Sequence, residues 1–179
     1  MRSDWVDPAL LDHILAALTP ANELAMRVSM ATGLRIDDVL HIKAEQVERG
    51  QRFTVTERKT GKKRRVYIPQ SLYDAMLRLA GRYYVWENRL DPHYPRTRQA
   101  VWKDLHRAAK LFRVSDSLTV SPHTARKVYA VEAFAKYGRV DRVRDLLNHS
   151  DEAVTMLYLM SEALTARKLG TRPQQKGRR

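Results

Sequence analysis

Arg52-Phe53-Thr54-Val55-Thr56 and Arg65-Val66-Tyr67-Ile68 both alternate β-branched or aromatic residues with polar ones, the period of a half-buried strand. Thr60-Gly61 lies between them as a turn signal, and Pro69, which cannot donate to a strand ladder, closes the second segment. The pattern predicts an antiparallel hairpin with its tip at 59–63.

Outward from the hairpin the period is helical. Upstream, Leu10, Leu11, Ile14, Leu15 and Leu18 form one stripe over a helix at 8–17. Thr19-Pro20 reads as an N-cap followed by proline in the first helical position, opening a helix that Gly33 ends in a left-handed conformation. A short helix at 36–42 follows. Downstream, Leu72, Met76, Leu79 and Tyr83 mark a helix from Ser71 to about Tyr84, and 91–95 is a loop. Val101, Leu105, Ala108 and Phe112 give a core-facing stripe over 97–112. After a connector at 113–120, Pro122 opens a helix that Gly138 ends, 140–147 forms a shorter one, and Ser150-Asp151-Glu152 caps a last helix carrying Tyr158. The fold class is therefore mostly α with a small antiparallel β-hairpin. Neither a repeat nor a long linker divides the chain, so 1–165 is expected to be a single domain and 166–179 a loose basic tail.

The 179 residues carry 33 Lys and Arg against 20 Asp and Glu, a net charge of +13. Residues 1–50 are net acidic, so the excess lies wholly beyond them, chiefly at 58–65 and in the tail. Charge so concentrated points to a polyanion, and to nucleic acid over a merely solubilising surface, because phosphate contacts release counterions. Cysteine is absent, which excludes disulfides, thiolate zinc sites and Cys nucleophiles. No run of about 18 apolar residues occurs to span a membrane, the N-terminus has no charged head leading into an apolar stretch, and with cysteine absent a cytoplasmic setting is expected.

Five segments carry chemistry: Ala31-Thr32-Gly33-Leu34-Arg35-Ile36-Asp37-Asp38, Glu57-Arg58-Lys59-Thr60-Gly61-Lys62, His123-Thr124-Ala125-Arg126, Leu146-Leu147-Asn148-His149-Ser150, and Thr155-Met156-Leu157-Tyr158. In this order the set resembles the catalytic domain of the tyrosine recombinase (phage integrase) family. There an Arg in T-G-L-R, a hairpin Lys, H-x-x-R, an L-G-H-S-like segment and a nucleophilic Tyr follow one another. The resemblance runs from about Thr19 to Leu164 and implies Arg35, Lys59, His123, Arg126, His149 and Tyr158 as catalytic residues, with Asp38 bracing the site. Asn148 stands where glycine is usual and Lys127 where histidine is common; neither change removes one of the six.

These residue types suit attack on a phosphodiester. Two guanidiniums, Arg35 and Arg126, can hold the non-bridging oxygens and stay charged at any working pH, although an ion pair of Arg35 with Asp38 is the alternative. A tyrosine hydroxyl, with a free pKa of about 10, needs help to lose its proton, and His123 is the base of the expected set. Attack by Tyr158 would leave a 3′-phosphotyrosyl link, as the resemblance implies, so resealing needs no nucleotide cofactor. Lys59 would protonate the leaving 5′-oxygen and His149 would donate to a phosphate oxygen. Lys62 and Lys63 share the same turn, and family position, not chemistry, selects Lys59. Arg58, Lys62, Lys63, Arg64, Arg65 and Lys127 are the expected DNA contacts. The histidines lack metal-ligand spacing and no Walker or G-x-G-x-x-G segment occurs, so no metal or cofactor is expected.

The resemblance implies a site-specific DNA recombinase of the integrase or invertase kind, working on double-stranded DNA as a homo-oligomer, a tetramer, with accessory DNA-bending proteins as further partners. Two rival readings stay open: a type IB topoisomerase-like enzyme that relaxes DNA, and a non-catalytic DNA-binding regulator on the same fold. Relatives often carry a further N-terminal core-binding domain. Its expected absence leaves either a catalytic domain from a longer protein or a naturally short recombinase, and Met1 with the first helix favours the second.

Overall fold

Phe53, Val55 and Val66 turn to one side of a two-stranded antiparallel ladder and bury there, while Arg52, Thr54 and Tyr67 remain outside. The strands are β1 (Arg52–Thr56) and β2 (Lys63–Tyr67), in register from Arg52 opposite Tyr67 to Thr56 opposite Lys63. The structure, a computed structural model, describes residues 4–112 and 118–147. The helix expected from Ser150 and the basic tail fall outside the described residues. Strand β2 starts at Lys63, two residues before the sequence pattern placed it. The turn therefore shortens to 57–62, closed by the Glu57 N–H donating to the Lys62 carbonyl (2.9 Å) and the Gly61 N–H to the Glu57 carbonyl (2.8 Å). Gly61 supplies the left-handed residue this turn requires, with φ +68°.

The described helices are α1 (Pro8–Ala16), α2 (Pro20–Thr32), α3 (Ile36–Leu40), α4 (Ala44–Glu48), α5 (Gln70–Leu79), α6 (Arg98–Leu111), α7 (Pro122–Tyr137) and α8 (Val140–Leu147). The mostly helical fold with one hairpin is thus the one the sequence pattern implies. Helix α2 lies at the centre, packed on α7, α3, α5 and α1. Ala25, Met26 and Val28 of α2 are fully buried with Leu11, Ile14 and Leu15 of α1, Val101, Leu105 and Ala108 of α6, and Ala125 and Val128 of α7. Each larger aliphatic side chain so placed contributes about 1.5–3 kcal/mol relative to exposure. A second, smaller cluster docks α8 on α7 through Val143 and Leu147 against Ala130 and Ala133.

Polar ties orient the helices. Thr19 precedes Pro20 as expected, yet its side chain does not cap α2. Its hydroxyl (2.9 Å) and backbone N–H (2.8 Å) both donate to the carboxylate of Asp104 on α6, which the Asn22 amide also reaches (2.7 Å). Burial alone would raise the Asp104 carboxyl; hydrogen bonds from Arg107, Thr19 and Asn22 outweigh it and hold the group at about 2. The start of the chain is fastened to the start of α7. The Asp4 N–H donates to the Thr119 carbonyl (2.8 Å), the Thr119 N–H to the Asp4 carboxylate (2.9 Å) and the Thr124 hydroxyl to the Asp4 carbonyl (3.0 Å).

Further details differ from the sequence pattern, and α3 ends at Leu40, two residues before the expected 42. Helix α5 stops at Leu79 instead of continuing to Tyr84, because the Glu87 carboxylate occupies the space beside Gly81 that a side chain would fill and accepts from the Tyr83 N–H (2.6 Å). Tyr84 pairs instead with Lys43 across a β-bridge, beneath the Lys43 ammonium. The five-residue helix α4 has no counterpart in the sequence pattern, and Phe112, on the stripe expected to face the core, is exposed. Among the described residues no helix is long and apolar enough to cross a membrane.

Candidate active site

Thr32 ends α2, and Gly33 reverses the chain with φ +68°, so the helix closes on a left-handed cap. Glycine is required twice over here: a Cβ at Gly33 would also lie 2.5 Å from Cδ1 of the Tyr129 ring on α7. Leu34 then plugs into the core, its carbonyl accepting from the Ser29 hydroxyl (2.7 Å). Arg35 follows as the extended residue ahead of α3, and its side chain projects from this rigid corner.

The Arg35 guanidinium reaches Glu57, at the end of β1, with Nη1 2.5 Å from Oε2. The arginine side chain is 18% exposed and the glutamate 0%. Asp38, the alternative partner, does not receive this arginine; its Oδ1 accepts from the backbone N–H of Arg58 (2.9 Å), so it braces the hairpin turn. Burial raises the Asp38 carboxyl, opposed by that hydrogen bond.

Arg126 is 1% exposed. Its Nη1 donates to the Gly33 carbonyl and its Nη2 to the Leu147 carbonyl (2.5 Å), joining the ends of α2 and α8 to α7. Arg64 differs from the sequence expectation of a DNA-facing cation. Its guanidinium turns inward and donates to the carbonyls of Thr32 and Gly33, and burial lowers its pKa. Both arginines thus satisfy carbonyls that α2 leaves open at its negative C-terminal end.

His123 sits in the first turn of α7, its N–H donating to the Ser121 hydroxyl (3.3 Å). One side of the residue is open to solvent. The protein packed around the other, followed by the charges of Arg126, Arg35 and Lys127, lowers the imidazole to about 4, so it is neutral at pH 7. Lys59, Lys62, Lys63 and Arg65 are exposed on or beside the turn, Arg58 pairs with Asp37 (3.1 Å), and Lys127 is half-buried. His149 and Tyr158 lie outside the described residues. The structure therefore brings Arg35, Arg126 and His123 into one electrostatic neighbourhood, with the Lys59 turn tied to Arg35 through Glu57. Such a set, cationic and with a neutral imidazole at its edge, is suited to an oxyanion. Among the described residues no group of three or more metal-ligating side chains converges.

Glu57 and Arg64 are functional neighbours that their charge conceals in the sequence, though both obey the period-two rule. Glu57 continues the inward series Phe53, Val55, and Arg64 shares its face with Val66.

Comparison with known proteins gives a consistent result. The model of the phage integrase family matches residues 5–164. A probable integrase/recombinase, YoeC of Bacillus subtilis, is 26% identical over 140 residues, covering 76% of this chain and 75% of that protein. The tyrosine recombinase XerD of Lacticaseibacillus casei is 28% identical over 168 residues, covering 83% of this chain and 55% of that protein. Against such recombinases the chain spans little more than half their length. Among solved structures, a lambda integrase dimer bound to a core site superposes with a TM-score of 0.73 at 18% identity, covering 89% of this chain and 60% of that one. The catalytic domain of bacteriophage HP1 integrase does so at 0.66 and 19% identity, covering 99% of this chain and all of that one. The fold is that of a tyrosine recombinase catalytic domain.

Proposed function

The chain belongs to the phage integrase family, and from that premise we propose that it is a tyrosine-type site-specific recombinase, cleaving and rejoining DNA strands without metal or nucleotide cofactor. The observation that carries the reading is the corner at Gly33, which holds Arg35 at the start of α3 and, through its carbonyl, Arg126 of α7, the helix whose first turn carries His123. In this reading Arg35 and Arg126 hold the non-bridging oxygens of the scissile phosphate, where charge develops in the transition state. Arg126 does so from a site also built by its bonds to Gly33 and Leu147.

The Tyr158 oxygen attacks phosphorus as its proton passes to His123, and the bond to the 5′-oxygen breaks as that oxygen takes a proton from Lys59. His149 donates to a phosphate oxygen. Resealing reverses the same steps. Burial and the neighbouring cations, which lower the imidazole to about 4, make it a weak base. A phosphate held by Arg35 and Arg126 opposes the part of that lowering that comes from their charges and favours the protonated imidazole. Double-stranded DNA is the substrate, engaged by the exposed cations of the hairpin, and the assembly is a homo-oligomer, a tetramer in this reading, with DNA-bending proteins as accessory partners. Residues 1–165 act as the catalytic domain, 166–179 as a basic tail, and the working place is cytoplasmic DNA.

The test is incubation with duplexes carrying paired candidate crossover sites. Products joining both parental flanks support recombination. Relaxation of supercoils without flank exchange identifies the type IB topoisomerase-like alternative, and binding without strand cleavage identifies a regulator.

A further inference from the structure

The fully buried Glu57 carboxylate serves two of the proposed catalytic residues at once. Its Oε2 accepts from Arg35 Nη1 (2.5 Å) and from the hydroxyl of Thr60 (3.1 Å). Thr60 directly follows Lys59 in the turn, and Arg58, which directly precedes it, is held by its backbone N–H to Asp38 (2.9 Å). The main chain at Lys59 is therefore clamped on both sides while its side chain stays exposed. Oε1 of Glu57 is buried without a hydrogen bond, and a buried carboxylate is tolerated only where a cation meets it. The carboxylate thus fixes the guanidinium as firmly as the guanidinium neutralises the carboxylate.

We propose that Glu57 is a positioning residue that sets Arg35 and the Lys59 turn in a single geometry, so that phosphate clamp and leaving-group acid reach the scissile linkage together. The inference rests on the recombinase reading above and adds a residue to it. The consequence is specific: loss of the Glu57 acceptor oxygen disturbs protonation of the 5′-oxygen even though Glu57 is buried inside the protein.

The test uses the nicked suicide duplex that the full wild-type chain captures covalently from a randomised library, and the same duplex with sulfur replacing the 5′-bridging oxygen. A thiolate leaving group, from a thiol of pKa about 8.5, departs without a proton donor. E57A should slow single-turnover cleavage of the oxygen substrate about 100-fold, as a displacement of about 1 Å does, with DNA affinity nearly unchanged. On the sulfur substrate that deficit should shrink by about tenfold or more, whereas the deficit of R35A should not. E57Q, which keeps the acceptor oxygen, should recover most of the lost rate. T60V, which removes only the turn hydroxyl, should give a smaller loss that sulfur also relieves, and it serves if E57A does not fold. Wild-type-like cleavage by E57A, or a loss equal on both substrates, overturns the inference alone. A wild-type chain that captures no duplex overturns the recombinase reading and this inference with it.

Discussion

The carbonyl oxygen of Gly33 accepts a hydrogen bond from Nη1 of Arg126, a residue 93 positions further along the chain. This contact folds the T-G-L-R segment and the H-x-x-R segment into one unit, and Arg64 reaches the same carbonyl (3.5 Å) from the hairpin. Three elements distant in sequence thus share one acceptor, which is why Arg35, next but one after Gly33, leaves a rigid corner. Helix α8 depends on it too. Its apolar docking is small, and the second Arg126 bond, to the Leu147 carbonyl, fastens its C-terminal end.

Replacing Gly33 should therefore damage the fold before it damages chemistry. G33A imposes a left-handed backbone on alanine, about 1–2 kcal/mol, and forces its methyl into the Tyr129 ring, about 1–3 kcal/mol more. Denaturant melts of a double-mutant cycle separate the two. In a Y129A background the penalty for G33A should fall to the backbone part alone. An unchanged penalty would mean that the ring moves aside freely.

Acid should destabilise the protein in two steps of known sign. His123 is lowered from 6.5 to about 4, so between those values the unfolded chain binds the extra proton, and stability falls as pH drops through that window. Asp104 is lowered from 3.8 to about 2, so its contribution is intact above the unfolded value and is lost as pH falls through the lower one. H123Q should flatten the stability profile in the upper window only. D104N should cost about 1–3 kcal/mol near neutrality and flatten the lower window only. Both are read from urea midpoints against pH.

Cations of the hairpin should divide by the face they occupy. K62A, K63A and R65A remove exposed charges and should each lower the slope of log affinity against log salt by about 1, across DNA sequences. R64A should leave that slope nearly unchanged and instead lower stability by about 1–3 kcal/mol, since it strips a donor from the carbonyls of Thr32 and Gly33. Fluorescence anisotropy over a salt series, beside thermal melts, reads both.

Much of this was legible in the residues because local signals and packing agreed. Pro122 and Gly138 bracket α7, and 140–147 became α8 with the boundaries its pattern implied. Gly33 ended α2 as a left-handed cap. What escaped was set by tertiary contacts. Helix α4 has five residues, too few to display a period, and α5 was cut short by Glu87, eight residues beyond its last residue. Arg64 sits in a run of cations, and its charge masked the strand alternation that points it inward beside Val66. Glu57 was hidden in the same way, an acidic side chain continuing an apolar face. The Arg35–Glu57 pair was not legible at all from the first segment, where Asp38 was the nearer carboxylate in sequence.

The central claim is that a tyrosine hydroxyl of this chain takes over a DNA phosphodiester. Capture on a nicked suicide duplex, followed by proteolysis and mass spectrometry of the DNA-linked peptide, measures it directly. The expected result is a 3′-phosphoryl adduct on Tyr158 that disappears in Y158F while DNA binding persists. Bound duplex with no adduct, an adduct on another residue, or one that survives in Y158F would contradict the account.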